Sequence, residues 1–297
     1  MKKLLSATLL VILMLTALSA CGKPASAATL GLGTDVSQLG TDAGPTAPAV
    51  GSIAVTVAAV IMADGKILNA AVETFIGDYT VSDRGIYAAN ASPVASSVDA
   101  SALVGKTKSE IDSMTTLLSS VKAAVLSAIG DATANGAPVC KKTDRVGLAA
   151  IGKASGKNAD FYIGDGMNGS ASLDATYAAV ATGTDGRVTA ASLDAVQISR
   201  SFDANGKHGD AKPILTKREL GYDYGMKGVS ASFGIGLEWF EQASGFCSYL
   251  VGKTASEIGA ISVSESGKAT DAALLSSCTI TIFDFISAAK TAAGKAN

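Results

Sequence analysis

The segment LVGKTKSEI, Leu103 to Ile111, returns as LVGKTASEI, Leu250 to Ile258, with a single letter changed. An internal repeat constrains a fold before anything else does, because it marks one supersecondary unit used more than once. A nucleotide-binding reading of the phrase fails. A phosphate-binding loop needs a glycine five residues before its Gly-Lys-Thr, so that backbone N–H groups can wrap the phosphates. Those positions hold Ala100 and Cys247. Thr107 and Thr254, each followed three residues later by Glu110 and Glu257, have instead the spacing of a capping box at a helix start.

More of the repeat survives, in the same order in both halves. Gly31-Leu32 recurs at Gly147-Leu148, and AAVIMADGKI (Ala58 to Ile67) recurs as AAVATGTDGRV (Ala178 to Val188) with one residue inserted. LLSS occurs at Leu117 to Ser120 and at Leu274 to Ser277. The separation between partners grows along the chain, so the second copy carries insertions, chiefly between Val188 and Leu250. Two homologous units are expected, residues 29–135 and 144–297, with a connector around Ala134 to Thr143. Each unit is large enough to carry a core of its own.

Two runs of Val/Ile-rich character meet at an Asp64-Gly65 turn, a strong hairpin signal, and the second unit repeats the hairpin with Asp185-Gly186 at its turn. The first unit then reads as helix from Lys108 to about Ala132, broken near Thr115-Thr116. In the second, Leu237, Phe240, Ala243, Cys247 and Leu250 recur at helical spacing. The closing CTITIFDFISAAKTAAGK alternates at first and is helix-like at its end. Hairpins interspersed with helices, without regular βαβ alternation, define an α+β class: antiparallel hairpins packed with helices.

The N-terminus reads as a targeting segment, residues 1–20. Lys2 and Lys3 precede a mainly apolar run, Leu4 to Ala17, and LSAC (Leu18 to Cys21) resembles the bacterial lipobox. That resemblance implies a lipidated, palmitate-bearing Cys21 as mature N-terminus, a tether over residues 21–28, and a position on the extracytoplasmic face of the cell membrane. An ordinary signal peptide or an uncleaved anchor stays open, although the run is short for a spanning helix. Removing residues 1–20 takes away two lysines and no acid, so the exported part is more acidic than the whole chain at −2. That balance argues against nucleic acid as partner.

Cys140, Cys247 and Cys278 show no CxxC spacing, hence no zinc signature, and their pairing is open. His208, the sole histidine, has no GxSxG elbow to serve. It lies in DANGKHGD, which reads as a solvated turn and lacks the ligand register of a calcium loop. Gly234 to Gly236 lacks the third glycine of a dinucleotide fingerprint. No catalytic residue and no metal ligand is expected.

Four phrases carry a family resemblance: TDGRVTAASLDAVQ, LTKRELGYDYGMKG, EWFEQASGFCSYLVGKTASEI and TDAALLSSCTITIFDFISAA. Together they make the second unit similar to the FMN-binding-domain family of bacterial surface lipoproteins, the tandem flavin-domain lipoproteins of extracellular electron transfer. The resemblance implies two FMN-binding-like domains, the first degenerate, and FMN joined through its phosphate to a Thr hydroxyl by a flavin transferase. It also implies a membrane electron donor, and a redox carrier or binding protein rather than a turnover enzyme. The family's attachment motif, approximately Asp-x-x-Ser-Gly-Ala-Thr, falls on Ser276-Ser277-Cys278-Thr279, making Thr279 the implied acceptor. Ser277 stands for Gly and Cys278 for Ala, and Asp271 lies two residues too far away. Lys122 falls at the acceptor position of the first unit, which therefore has none. Ser276, Ser277, Tyr224 and Met226 complete the implied flavin contacts. Tyr222, Phe233, Trp239, Phe240, Phe246 and Tyr249 concentrate a sparse aromatic supply in the same stretch, for ring stacking or for core. The alternative is an envelope lipoprotein, ligand-binding or structural, that keeps the fold without covalent flavin.

Overall fold

The computed structural model describes residues 28–90, 93–159 and 168–296, so the expected targeting segment, Cys21 and the expected tether up to residue 27 lie outside the described residues. The first half opens with an antiparallel meander of β1 (Thr29–Thr41), β2 (Ala49–Ala63) and β3 (Lys66–Val81). Short strands β4 (Tyr87–Ala89) and β5 (Ser96–Val98) pair with β3, and β6 (Ala137–Pro138) pairs with β1. Helices α1 (Lys108–Ser113) and α2 (Ser119–Ala134) follow the meander, with the expected break between them.

A second meander, β7 (Arg145–Lys157), β8 (Gly169–Thr182) and β9 (Val188–Phe202), opens the other half. It is followed by α3 (Lys217–Leu220), α4 (Lys227–Ala231), α5 (Trp239–Leu250), α6 (Ala255–Gly259), α7 (Ala272–Leu275) and α8 (Phe283–Lys295). The architecture is α+β with antiparallel sheets.

Alternation along the strands sorts side chains into three cores. On β2, Ile53, Val55, Val57, Ala59 and Ile61 face the second sheet, whereas Ala58, Val60 and Met62 face α2. On β8, Leu173, Ala175, Tyr177 and Ala179 face the first sheet, whereas Ala178 and Val180 face α5 and α8. The layers therefore run helices, sheet, sheet, helices. The innermost core draws on both halves, and each half has an outer core of its own.

The repeated phrases occupy matching places. Gly31 pairs with Val60 and Gly147 with Val180, and the register shifts at Ile61/Met62 in one sheet and Ala181/Thr182 in the other. The VGKT phrase is a strap on the third strand. Gly105 N–H donates to Ile67 O at 2.8 Å, and Ile67 N–H donates to Lys106 O at 2.9 Å. Gly252 and Lys253 make the same two bonds with Val188, at 2.8 and 2.9 Å. The strap turns through φ of 83° at Gly105 and 84° at Gly252, where a side chain would be strained. Thr107 and Thr254 then close capping boxes with Glu110 and Glu257.

Gly31 and Gly147 let a helix rest on bare backbone. A Cβ would stand 2.2 Å from Ala128 O at Gly31 and 1.9 Å from Ala292 O at Gly147. Matching Ala128 with Ala292 sets Thr115, not Lys122, against Thr279; Lys122 falls on Ile286. The two LLSS phrases are thus not equivalent: Ser119-Ser120 start α2, whereas Leu274 and Leu275 end α7.

Buried polar groups stitch the halves. Glu73 on β3 and Asp194 on β9 occupy matching positions, opposite Val57 and Tyr177, and both are buried. Glu73 accepts the Ala150 N–H at 3.0 Å and pairs with Lys295. The Arg218 fork donates to Asp131 Oδ1 at 3.0 Å and Oδ2 at 3.3 Å, and to Ser192 Oγ at 2.7 Å. Asp194 Oδ1 accepts from Ala195 N–H and Arg218 N–H at 2.8 and 3.1 Å. His208 departs from expectation: instead of a solvated turn, its side chain is 2% exposed. The bridge between Phe202 and His208 folds the turn back and carries the ring inward.

Candidate ligand cleft beside Thr279

The chain inserted between β9 and α5 roofs one end of the second sheet's outer face. Its seat is polar and buried. Glu238, which precedes α5, accepts the Met226 N–H at 2.7 Å, and Ser230 Oγ donates to Leu237 O at 2.6 Å. Both side chains belong to residues buried from solvent, so the roof is fixed to the start of α5. Beneath it opens a cleft of about 400 Å³. Ile151, Thr176 and Ala195 floor it; Met226, Val229, Phe233, Trp239 and Phe285 wall it; Thr279, Ile280 and Thr281 form its rim. The size and the mixture of apolar wall with a few polar groups are those of a small-molecule site.

Thr279 is held by one buried side chain. Gln242 Oε1 accepts the Thr279 N–H at 2.9 Å and the Thr279 Oγ–H at 3.1 Å, while Gln242 Nε2 donates to Leu237 O at 3.1 Å. A backbone N–H can only donate, so the amide orientation is fixed and the hydroxyl gives its proton to Gln242. Thr279 Oγ thus offers the cleft lone pairs, not a proton. Ser276 Oγ donates to Ala273 O at 2.7 Å and Ser277 Oγ to Leu274 O at 3.2 Å, so both serines bond locally around α7.

The cleft's charged donors without a carboxylate partner among the described residues are Lys217 and Lys268. Lys217 Nζ lies 5.1 Å from the Tyr224 ring centroid and 5.5 Å from that of Trp239, and Lys268 Nζ lies 3.9 Å from that of Phe233. Neither lysine has a carboxylate partner among the described residues, whereas Lys153 pairs with Asp284 at 2.6 Å. Cation–π contact holds such ammonium groups against the wall without neutralising them. Tyr224 stands behind the wall, edge-on to Trp239 at 6.4 Å, and Trp239 tilts against Phe285 at 5.8 Å.

The structure thus brings Thr279 and Met226 to one cleft, puts Tyr224 beside it, and turns Ser276 and Ser277 away. Cys278, next to Thr279, is fully buried, and Cys247 is half-buried; both are free thiols. Desolvation pushes each up to about 12, so neither is a thiolate nucleophile at neutral pH. Gln242, Lys217 and Lys268 carry no motif in the sequence. Gln242 left a signal: a polar residue on the stripe that buries Trp239, Ala243, Phe246 and Leu250.

An aromatic wall, two ammonium groups without carboxylate partners among the described residues and a volume of about 400 Å³ suit an aromatic anion held without a covalent bond, in a lining that also carries Asp174 and the Lys153-paired Asp284. The residues do not present a loop ready for attachment. A transferase would have to pull Cys278 out of the core, and the Ser277 Oγ already lies 2.9 Å from where a Cβ on Gly245 would stand. No family profile, no curated protein and no solved structure matches the chain.

Proposed function

We propose that this chain is an exported, lipid-tethered lipoprotein whose second half holds a planar aromatic anion of the flavin mononucleotide class in the Thr279 cleft, noncovalently. The observation that carries the reading is the pair of lysines without carboxylate partners among the described residues, Lys217 against Trp239 and Lys268 against Phe233, both rings of the cleft. Lys217 and Lys268 would meet the phosphate; Trp239, Phe233 and Met226 would flank the ring; Thr279 would accept a hydrogen bond from a ring N–H. Bound flavin would supply electron-transfer chemistry, and the protein would set its position and surroundings. A membrane electron donor belongs to that role. A flavin transferase becomes a partner only if the Thr279 loop opens.

The two halves are read as duplicated, homologous units. Matching glycine–helix contacts, straps, capping boxes, register shifts and buried acids support this. The roof over the cleft lies in the inserted chain of the second half, which explains a cofactor site on one side only. A second reading, an envelope lipoprotein without flavin, is favoured by the engaged Thr279 proton and the inward Cys278.

Titrating the purified chain with FMN and with riboflavin, followed by flavin fluorescence, separates the readings. Saturable binding, tighter for FMN and weakened at least about tenfold by Lys217→Ala with Lys268→Ala, is expected, since each lost ionic contact is worth on the order of 1 kcal/mol or more. An absence of saturation at millimolar FMN refutes the flavin reading. Intact mass after co-expression with a flavin transferase tests covalent attachment separately.

A further inference from the structure

The loop Asp203 to Asp210 follows β9 and lies against the first half at the end of the sandwich remote from the VGKT straps. Ala43 N–H donates to Gly206 O at 3.2 Å, and His208 N–H donates to Asp42 Oδ1 at 2.8 Å. The His208 ring faces Gly40, where a Cβ would stand 3.2 Å from it, and meets the Tyr79 ring edge-on at 5.8 Å. Tyr79 in turn fills the space over Gly51, the residue paired with Gly40. Each ring from one strand or loop therefore needs a glycine on a neighbouring strand, and the end is closed by side chains belonging to both halves.

The closure is polar but unsatisfied. Gln38 Oε1, Tyr79 Oη, Arg200 Nε and both ring nitrogens of His208 are buried and without a hydrogen-bond partner among the described residues. The groups facing the imidazole are Asp42 beyond the end of β1, Tyr79 on β3 and Arg200 on β9; on its own loop, Lys207 acts on Asp42, and Asp203 accepts the Asn205 and Lys207 N–H groups. Asp42 Oδ1 comes within 3.4 Å of Nδ1, but that carboxylate is 55% exposed and its oxygen is engaged by a backbone N–H. Arg200 has no carboxylate partner among the described residues. A proton on His208 would place a second cation beside that guanidinium, in a site where a charge lacks both water and a buried counter-ion.

We propose that the His208 loop is an acid-released clasp: the neutral imidazole holds residues 203–210 between the two sheets, and its protonation frees that loop from the first half. Burial, then Arg200, hold the imidazole below its ordinary range, and Asp42 opposes them in part. The sign follows from linkage. With the folded-state value depressed, the clasp's contribution is complete above the ordinary imidazole range and is lost as pH falls through the folded value. For a protein exposed outside the membrane, the releasing signal would be external acid.

Hydrogen exchange of the purified full chain, with backbone amides of residues 203–210 and of Ala43 followed from pH 7.5 to pH 5 and corrected for intrinsic exchange, tests the clasp. The opening constant is expected to rise as pH falls, by at most about tenfold per pH unit for a single proton, and to lose that dependence in His208→Gln. A flat profile in the wild-type chain, or an unchanged slope in His208→Gln, overturns the proposal. Asp42→Asn gives a second reading that survives failure of His208→Gln to fold. Removing the exposed carboxylate lowers the folded value further, so the rise in the opening constant must continue to lower pH and end larger, and an unchanged rise also overturns it.

Discussion

Replacing Gly147 by Ala puts the contact between β7 and α8 to a direct test. The added Cβ would lie 1.9 Å from Ala292 O, 2.8 Å from Ala292 C and 2.9 Å from Ala296 N, all of them backbone. Since comfortable heavy-atom contacts begin near about 3.5 Å, no rotamer change can relieve the clash, and α8 must retreat by more than about 1 Å. That helix fully buries Ala288, Ala289, Ala292 and Ala293, so retreat opens a gap along a layer of small side chains. Overpacking of this kind costs about 1–3 kcal/mol, more where backbone must move, and the lower entropy of the unfolded Ala chain returns less than about 1 kcal/mol. A net loss of about 2–4 kcal/mol follows. Gly294 lies on the exposed side of the same helix with nothing within 4 Å of a new Cβ; there the same change should gain about 0.5–1 kcal/mol through helix propensity. Urea unfolding followed by circular dichroism measures both. Gly31→Ala and Gly130→Ala should repeat the pair of signs in the first half, on α2. Equal effects at Gly147 and Gly294, or a stabilised Gly147→Ala, would refute the close-contact argument.

Asp194 predicts a pH dependence opposite in sign to that of His208. Burial raises its carboxyl to about 6, so the stability it contributes is complete below the ordinary carboxylate range and is lost as pH rises through about 6. Asp194→Asn keeps an oxygen for the Ala195 and Arg218 N–H groups, and should abolish that fall in unfolding free energy between about pH 4 and pH 6. Thr107→Ala and Thr254→Ala each remove a completed capping box, and each should cost about 1 kcal/mol in urea unfolding. Arg218→Met leaves Asp131 and Ser192 without their guanidinium partner; a loss of about 3 kcal/mol is expected, measurable by thermal unfolding.

The repeat was legible because it encodes backbone events. VGKT survives in both halves since a left-handed glycine and a capping threonine have few substitutes, and the Asp-Gly turns since a tight hairpin needs them. LLSS misled because leucine and serine are common at helix ends and carry no such constraint; only the glycine–helix contacts identify Thr115 as the partner of Thr279. The helical spacing of the α5 stripe points close to its true face, yet Trp239 and Phe246 rather than Phe240 and Cys247 form its buried side. Stacking of one sheet on the other was not legible, since alternation fixes which residues share a face but not what covers that face. His208 was misread for the same reason. Its neighbours in sequence are turn formers, and its neighbours in space come from β1 and β3.

That distinction also explains why one half carries the cleft. Both sheets present an outer face to a C-terminal helix resting on a bare glycine, and both are strapped by VGKT. In the first half α1 and α2 follow the strap directly. In the second, the strap is reached only after α3, α4 and α5, and a further loop and α7 separate it from α8. The added chain brings Lys217, Met226, Phe233 and Trp239 over the sheet from one side and Lys268 and Thr279 from the other. On the proposed duplication, an insertion on one copy would add a cleft without disturbing the shared inner core. Substitutions at the two lysines should accordingly change ligand affinity with little effect on unfolding, whereas changes at Gly147 or Arg218 should do the reverse.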